Sequence, residues 1–81
     1  MTVKILFFAQ AREKAGTSRL DLDLPDGSLV SDALVLIQSR VPALQALASH
    51  LAVAINGEVS PPGAPIPPGA EIALLPPVSG G

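Results

Sequence analysis

The residues best suited to chemistry are the last six, PPVSGG at positions 76–81. Glycine has no β-carbon, so the terminal Gly80-Gly81 pair can pass through a channel too narrow for other residues and present its α-carboxylate to a partner's active site. Pro76 and Pro77 fix φ and donate no backbone hydrogen bond, which predicts that the chain leaves its last strand as an extended, flexible tail. Two glycines can also end a chain by chance, so the tail alone does not establish a function.

Composition argues against other kinds of chemical site. The 81 residues include no cysteine, which removes a disulfide framework, thiolate metal ligands and a cysteine nucleophile. No convergent pair of carboxylates stands out, and we expect neither a bound metal nor a bound cofactor. His50 is the single histidine and the only candidate acid or base near neutral pH. We interpret it as a surface or loop residue.

The charge pattern argues against nucleic acid and membrane partners. The net charge is −2, and the basic residues are spread along the chain, which gives no electrostatic footprint for an anionic partner. These residues are Lys4, Arg12, Lys14, Arg19 and Arg40. There is no Trp or Tyr to stack bases, and no apolar run approaches the length of a membrane span or of a secretion signal. We therefore predict a soluble, unprocessed, cytoplasmic protein.

Local patterns predict strands near both ends of one small domain. Residues 19–24 alternate leucine with charged residues, which is typical of a half-buried strand, and residues 3–8 form a continuous β-prone run. The polar segment between them predicts a loop or a short helical turn, which lets the two strands pair antiparallel. Residues 71–75 predict the last strand, and the two prolines that follow it end the domain at residue 75.

The middle of the chain predicts one main helix. Over residues 29–41 the apolar positions follow i, i+3, i+4, i+7 and i+11, the stripe of an amphipathic helix. Pro42 ends it, Ser28 is the predicted N-cap, and Asp32 lies in the first turn, where negative charge suits the helix dipole. Residues 43–50 predict a further short turn.

A hairpin and a long loop follow. Residues 52–55 predict a third strand, Asn56-Gly57 a type I′ turn, and residues 58–59 a short fourth strand. Residues 60–69 are rich in proline and predict a loop. The element order is therefore β-β-α-β-β-β, an α+β fold.

One helix can cover only one face of such a sheet, so the other face is predicted to be open. Lys4 shares its strand face with Phe8, and Glu71 shares its face with Leu75. Because charged residues avoid the core, Phe8 and Leu75 are predicted on the open face, where exposed apolar side chains near the tail indicate a docking patch. The alternative is that a loop shields them.

This order, with a terminal Gly-Gly, resembles the ubiquitin-like β-grasp fold, a mixed sheet with one main helix on one face. Residues 5–13 (ILFFAQARE) followed by Gly16, and residues 75–81 (LPPVSGG), resemble the two ends of the molybdopterin synthase small subunits, the MoaD-type sulfur carriers. The Asn56-Gly57-Glu58 turn also lies where that family has one. The resemblance implies a β-grasp domain over residues 1–75 and a flexible tail over residues 76–81.

The resemblance also implies a function. In that family, an adenylyltransferase similar to ubiquitin-activating enzymes uses ATP to adenylate the terminal glycine, and sulfur displaces AMP to leave a thiocarboxylate. The family's large subunit then uses this sulfur on cyclic pyranopterin monophosphate to make the dithiolene of molybdopterin. Gly81 would carry the sulfur, and the rest of the tail would enter the large subunit. These tail residues are Gly80, Ser79, Val78, Pro77 and Pro76.

The same resemblance assigns contacts and assembly. Phe8, Val59 and Leu75 fall where the family has apolar contacts to its partners, and Arg12 falls at a basic position that can pair with an acidic surface. Strand parity supports Phe8 and Leu75 independently, but it does not place Val59, and Arg12 can equally be an ordinary solvated charge. The chain would not be catalytic alone but would act as the sulfur-donating subunit of a heterotetrameric synthase.

Two alternatives remain open. Sulfur carriers for thiamine or for tRNA thiolation, and modifiers that are attached to lysines, share the Gly-Gly chemistry, and only the segment from Phe7-Phe8 to Gly16 favours molybdenum cofactor synthesis. A second alternative is a non-reactive adaptor that binds through PxxP matches at residues 62–65 and 65–68. Such short matches discriminate weakly.

Overall fold

The protein is described as a computed structural model over residues 1–47 and 50–76. Its strands are β1 Thr2–Phe7, β2 Arg19–Asp23, β3 Ala52–Ile55, β4 Glu58–Val59 and β5 Glu71–Leu75; its helices are α1 Ala9–Ala15 and α2 Val30–Arg40, followed by a 3₁₀-helix over Pro42–Ala46. The predicted bounds of the last three strands agree with the structure. Of the predicted tail, residues 77–81 lie outside the described residues.

The five strands form one mixed sheet in the order β2-β1-β5-β3-β4. β1 and β5 pair in parallel at the centre, and the other neighbours pair antiparallel, including β1 with β2 as predicted. α2 packs on one face of this sheet. This is the β-grasp architecture that the sequence resemblance implied.

Alternate strand residues face α2 and form one core with it. Its buried members include Val3, Ile5 and Phe7 of β1, Leu22 of β2, Val53 and Ile55 of β3, Ile72 and Leu74 of β5, and Val30, Ala33 and Ile37 of α2. The three α2 residues belong to the stripe predicted from the sequence, which is confirmed. Full burial of each large aliphatic side chain contributes about 1.5–3 kcal/mol, so this face of the sheet is fixed by packing.

The connection between β1 and β2 is a helix rather than a loop. The prediction that Phe8 belongs to the first strand is wrong by one residue, because β1 ends at Phe7 and Phe8 is the N-cap of α1. α1 ends at Gly16, whose φ of +72° is left-handed and whose N–H donates to the Arg12 carbonyl oxygen at 2.9 Å. One buried alanine, Ala11, anchors α1 to the core.

The prediction that Ser28 caps α2 is wrong. The N-cap is Leu29, and its N–H donates to Asp32 Oδ2 at 2.8 Å, so the acidic residue of the first turn reaches back over the helix end. The Ser28 hydroxyl donates instead to the Pro25 carbonyl oxygen at 2.7 Å. The Ser28 hydroxyl is therefore bonded within the turn between β2 and α2, and it does not cap the helix.

The proline-rich loop between β4 and β5 holds the N-terminal end of α2. The N–H of Val30 donates to the Ala64 carbonyl oxygen at 3.0 Å, and the N–H of Ser31 donates to that of Pro62 at 2.9 Å. Ile66 of the same loop is buried in the core. The loop thus satisfies helix N–H groups that no intrahelical carbonyl can reach.

β2 forms one outer edge of the sheet. The Phe7 N–H donates to the Ser18 carbonyl oxygen at 2.9 Å, so the backbone groups of Ser18 face β1 and those of Arg19 face away from the sheet. The Thr17 hydroxyl donates to the Arg19 carbonyl oxygen at 3.1 Å and accepts from the Arg19 N–H at 3.4 Å. One side chain therefore covers both outward-facing backbone groups of Arg19.

The turn between β3 and β4 is the predicted type I′ turn, since Asn56 and Gly57 have φ values of +49° and +88°. Asn56 also joins this hairpin to β5. Its N–H donates to the Glu71 carbonyl oxygen at 2.8 Å, and its Oδ1 accepts from the Glu71 N–H at 2.9 Å.

We predict that Gly57→Ala lowers the free energy of unfolding by about 1–2 kcal/mol, because a β-carbon opposes the left-handed backbone. Gly63→Ala is the matched control, since a β-carbon at either position meets no atom within 4 Å and only Gly57 has a positive φ. The control should leave stability unchanged or raise it by up to about 1 kcal/mol. Urea unfolding followed by circular dichroism measures both. Equal losses in the two variants would contradict the turn assignment.

Candidate functional site

The face of the sheet opposite α2 carries an apolar row across four strands. In register, Leu6 lies opposite Ala73, Ala73 opposite Ala54, and Ala54 opposite Val59. Directly opposed residues share a face, and neighbouring strands are about 4.8 Å apart, so the row spans about 14 Å. Ala54 is buried, but it does not belong to the core cluster between the sheet and α2, as its place on the opposite face requires.

A second group extends this row toward the end of the domain. Ala52 lies opposite Leu75, and one further step in the parallel register of β1 and β5 places Phe8 beside Leu75. We call the combined surface the apolar patch. Its members are Leu6, Phe8, Ala52, Ala54, Val59, Ala73 and Leu75.

The other half of the same face is polar. Lys4 lies opposite Asp21 on one side and opposite Glu71 on the other. The Thr2 hydroxyl donates to Asp23 Oδ1 at 2.7 Å across β1 and β2. A cross-strand hydrogen-bonded pair such as Thr2 with Asp23 contributes about 0.2–1 kcal/mol. The open face therefore divides into a polar half and the apolar patch, and β1 and β5 both run toward the patch.

Phe8 and Leu75 lie on the face that strand parity predicted. Phe8 is 45% exposed and Leu75 is half-buried. The alternative that a loop shields Phe8 does not hold. Pro76, the last described residue, is half-buried directly after Leu75, so the described part of the chain ends at the apolar patch.

The structure places Val59, which sequence parity could not. It lies at the edge of the sheet opposite Ala54 and is 74% exposed. Val59 and Phe8 therefore occupy opposite sides of the apolar patch. No residue of this surface except Phe8 is aromatic, so its hydrophobic character comes from aliphatic side chains.

Arg12 lies on α1, which contacts the end of β5. Its side chain is exposed, and within residues 1–47 and 50–76 no carboxylate lies within 4.0 Å of its guanidinium. Together with Lys14 it gives the last turn of α1 a positive charge. This end of the domain thus combines basic and apolar groups. Whether these residues bind a partner stays a prediction.

The reactive tail residues named above, Gly81, Gly80, Ser79, Val78 and Pro77, lie outside the described residues. His50 is exposed, in keeping with its interpretation as a surface residue. Among the described residues, no group of three His, Asp or Glu side chains is arranged to hold a metal ion, and no helix is long and apolar enough to cross a membrane.

Sequence reasoning missed two residues of the apolar patch, Ala52 and Ala54, and one residue that borders it, Arg19. Ala52 and Ala54 belong to a strand that is apolar at every position, so alternation could not assign its faces. Arg19 lies opposite Leu6 at the β2 end of the apolar row, and its Nε and Nη2 both donate to Asp21 Oδ1 at 3.2 Å. The strand pattern marked Arg19 as solvent-facing, but only the register shows which residues it borders.

The two PxxP matches do not form an open polyproline segment. The Ala64 N–H donates to the Pro61 carbonyl oxygen at 3.0 Å, and the Ala70 N–H donates to that of Pro67 at 3.2 Å, so each match overlaps a turn. A polyproline II helix has no internal hydrogen bonds. This geometry disfavours the adaptor interpretation.

Comparison with known proteins finds relatives along the whole chain. The sequence profile of the ThiS family matches residues 5–81. The molybdopterin synthase sulfur carrier subunit of Chlamydomonas reinhardtii is 36% identical over 83 aligned positions, which cover 100% of both chains. The crystal structure of SAMP1 from Haloferax volcanii, a small archaeal modifier protein, has a TM-score of 0.90 at 34% identity, again over 100% of both chains.

A solved complex contains a further relative. In the complex of subunits 1 and 2 of molybdopterin-converting factor from Helicobacter pylori, one chain is similar to this one with a TM-score of 0.71 and 26% identity over 100% of both chains. A chain of this fold therefore occurs in contact with a second subunit.

The adjacent phenylalanines should differ sharply in their contribution to stability. We predict that Phe7→Ala lowers the free energy of unfolding by about 3–5 kcal/mol, because it leaves a cavity in the core. Phe8→Ala should cost much less, about 1 kcal/mol, since Phe8 is already 45% exposed and lies outside the core cluster. Urea unfolding measures both changes. Circular dichroism is the suitable signal, because a chain without Trp and Tyr gives little intrinsic fluorescence. Equal costs would show that Phe8 is not on the open face.

Proposed function

Because the chain belongs to the ThiS family, we propose that it is the sulfur carrier subunit of a molybdopterin synthase. The observation that carries this proposal is the apolar patch, which lies beside Leu75 and Pro76, directly before the terminal residues in the sequence. A partner that binds this patch would receive the following residues directly in its own active site. The relative from Chlamydomonas reinhardtii, which is similar over its full length, supports the same function.

The proposed chemistry takes place at Gly81. Its carboxylate is a poor acyl donor, because its charge repels nucleophiles and oxide is a poor leaving group. Attack of the carboxylate on ATP in an activating enzyme gives an acyl-adenylate and releases pyrophosphate. Sulfide then displaces AMP and leaves a thiocarboxylate. The carrier supplies the acyl group and a shape that two enzymes recognise, and ATP binds to the activating enzyme rather than to the carrier.

The large subunit of the synthase is the proposed acceptor of the loaded tail. There the thiocarboxylate sulfur bonds to cyclic pyranopterin monophosphate, and water then cleaves the bond between that sulfur and the Gly81 carbonyl carbon, which regenerates the carboxylate. Each loading thus supplies one sulfur atom for the dithiolene of molybdopterin. The Helicobacter pylori complex, which joins a relative of this chain to subunit 2 of a molybdopterin-converting factor, supports this partner. We propose a heterotetramer that works in the cytoplasm.

Docking would draw on the apolar patch and on Arg12. Phe8 and Val59 are exposed in the free domain. A partner that buries their apolar surface would gain about 25 cal/mol of binding free energy per Å² buried. Aromatic anchors such as Phe8 often dominate the binding energy of an interface. Arg12, without a carboxylate nearby in the described part of the chain, is free to pair with an acidic group of the partner.

A protein modifier is the second candidate. The similarity to a small archaeal modifier protein, with a TM-score of 0.90, favours it. Both functions need the same activated glycine. They differ in the group that its carbonyl carbon is joined to, which is sulfide in a sulfur carrier and a lysine amine in a modifier. Sulfur carriers of thiamine or tRNA thiolation pathways follow the first route with a different final enzyme.

We predict that incubation with ATP, an activating enzyme and a sulfide source increases the intact mass by the difference between sulfur and oxygen. Deletion of Gly81 should abolish this increase and leave thermal unfolding unchanged, because the residue follows the last strand. An unchanged mass of the full chain would favour the adaptor function. Sulfur transfer by the deletion variant would exclude Gly81 as the carrier.

We predict that Val59→Asp weakens binding to the large subunit by about tenfold or more, which corresponds to 1.4 kcal/mol. Val35→Asp is the matched control: Val35 is 70% exposed, against 74% for Val59, but lies on α2 behind the sheet. Phe8→Asp and Leu75→Asp should weaken binding in the same way, and more than they destabilise the domain. Titration calorimetry measures the affinities. Equal effects of the two valine substitutions would rule out the apolar patch as the docking surface.

A further inference from the structure

Arg19 is the one charged residue in the row that carries the apolar patch across the sheet. In register, the row begins at Arg19 of β2 and continues on the neighbouring strands through Leu6, Ala73, Ala54 and Val59. A cation therefore lies where the row ends, at the β2 edge of the open face. This cation takes no part in the core, and its side chain is 53% exposed.

The methylene groups of Arg19 lie beside the apolar patch. The Phe7 N–H donates to the Ser18 carbonyl oxygen, so the next opposed pair, Arg19 with Leu6, is one whose backbone groups do not bond to each other. Side chains are closest in pairs of this kind, with β-carbons about 4.5–5.5 Å apart. Leu6 is half-buried, although it is not among the residues that pack against the core. The stem of Arg19 thus extends the apolar surface toward the edge of the sheet.

Asp21 binds one edge of the Arg19 guanidinium and leaves the other edge open. Nε and Nη2 both donate to Asp21 Oδ1 at 3.2 Å, and Asp21 belongs to the polar half of the same face. Within residues 1–47 and 50–76, no other carboxylate lies within 4.0 Å of Arg19. Nη1 makes no hydrogen bond in the same part of the chain. The edge formed by Nη1 and Nη2 is a fork that fits both oxygens of a carboxylate.

Stability does not account for this arrangement. The side chains of Arg19 and Asp21 are 53% and 58% exposed, and exposed ion pairs contribute little to folding because water and salt screen them. The Thr17 hydroxyl bonds to the backbone groups of Arg19 and not to its side chain. The guanidinium is therefore oriented at the surface beside apolar groups. Arginine is enriched in protein interfaces, and above all among the residues that dominate binding.

We propose that Arg19 binds a carboxylate side chain of the large subunit through the edge formed by Nη1 and Nη2 when the apolar patch docks. This inference rests on the proposed function and adds a charged contact to it. A guanidinium that Asp21 already orients loses less conformational freedom when the partner binds.

The charge distribution supports an acidic group on the partner. The whole chain has a net charge of −2, yet arginines lie at two places around the patch. Arg19 ends the apolar row, and Arg12 lies on α1, where its N–H donates to the Phe8 carbonyl oxygen. Complementary charges at the border of an interface speed association and fix the orientation of the partners.

The experiment compares Arg19→Gln with Arg40→Gln in binding to the large subunit at low and at high salt. Each variant removes one positive charge, and both arginines are exposed, but Arg40 lies at the end of α2, behind the sheet. We expect Arg19→Gln to weaken binding by about three- to tenfold at low salt, and by less at high salt, which screens the contact. Arg40→Gln should leave the affinity unchanged. Urea unfolding of Arg19→Gln should match that of the wild type, because the side chain is exposed.

Arg19→Lys tests the fork separately from the charge. Lysine keeps the positive charge but presents one ammonium group, which does not match a carboxylate with two parallel hydrogen bonds. It should keep the salt dependence of the wild type but recover only part of the affinity. Wild-type affinity in Arg19→Lys would overturn the assignment of the fork. Equal losses in Arg19→Gln and Arg40→Gln would overturn the contact, since net charge alone would explain them.

The proposed function and the inference fail in different ways. If the wild-type chain does not bind the large subunit, both are wrong. If Val59→Asp weakens binding but Arg19→Gln does not, the function stands and the role of Arg19 is rejected. Sedimentation equilibrium of the isolated chain tests a second copy as the occupant. Self-association that Arg19→Gln weakens, with unchanged binding to the large subunit, would overturn the proposal.

Discussion

Parallel pairing of β1 and β5 at the centre of the sheet is the constraint on which the candidate site depends. Parallel strands end at the same edge, so the register that joins Phe7 to Leu74 places Phe8 close to Leu75, at the C-terminal end of β5. If β5 ran antiparallel to β1, the C-terminal end of β5 would lie in the polar half of the face, beside Lys4. The long connection that parallel strands require is supplied by every element between them. The first and last strands of the domain are therefore neighbours in the sheet, and all the other elements lie between them in the sequence.

The sequence predicted the elements whose side chains follow a strong local rule. The helical stripe of α2 and the alternation of β2 each combine a period with a residue that ends the element. The Asn56-Gly57 pair is itself a turn signal. The structure confirms all three. α1 lacks such a stripe and is held by Ala11, a contact that depends on the tertiary structure. The cap of α2 was mispredicted for a similar reason, since the Ser28 hydroxyl had two possible acceptors and the preceding turn decided between them.

The candidate site was predictable only in part. Parity placed Phe8 and Leu75 because each shares a strand face with a charged residue. Ala54 could not be assigned, since β3 has no polar residue to mark a face, and Val59 could not because a short strand or a bulge could turn it either way. The pairing of β3 with β5 places Ala54, and the pairing of β3 with β4 places Val59. The backbone at Ala9, whose φ of +49° is left-handed, has no signature in the sequence, because alanine does not favour that conformation.

The Thr17 hydroxyl has a consequence for how the molecule behaves in a crowded solution. An exposed edge strand offers unpaired N–H and C=O groups to any other chain in an extended conformation, which is a common start of aggregation. At Arg19 an incoming strand would first have to displace the threonine hydroxyl from both groups. Charged side chains at alternate positions of β2 add to this barrier. The β2 edge of the sheet is thereby protected at Arg19 against pairing with an extended segment of another chain.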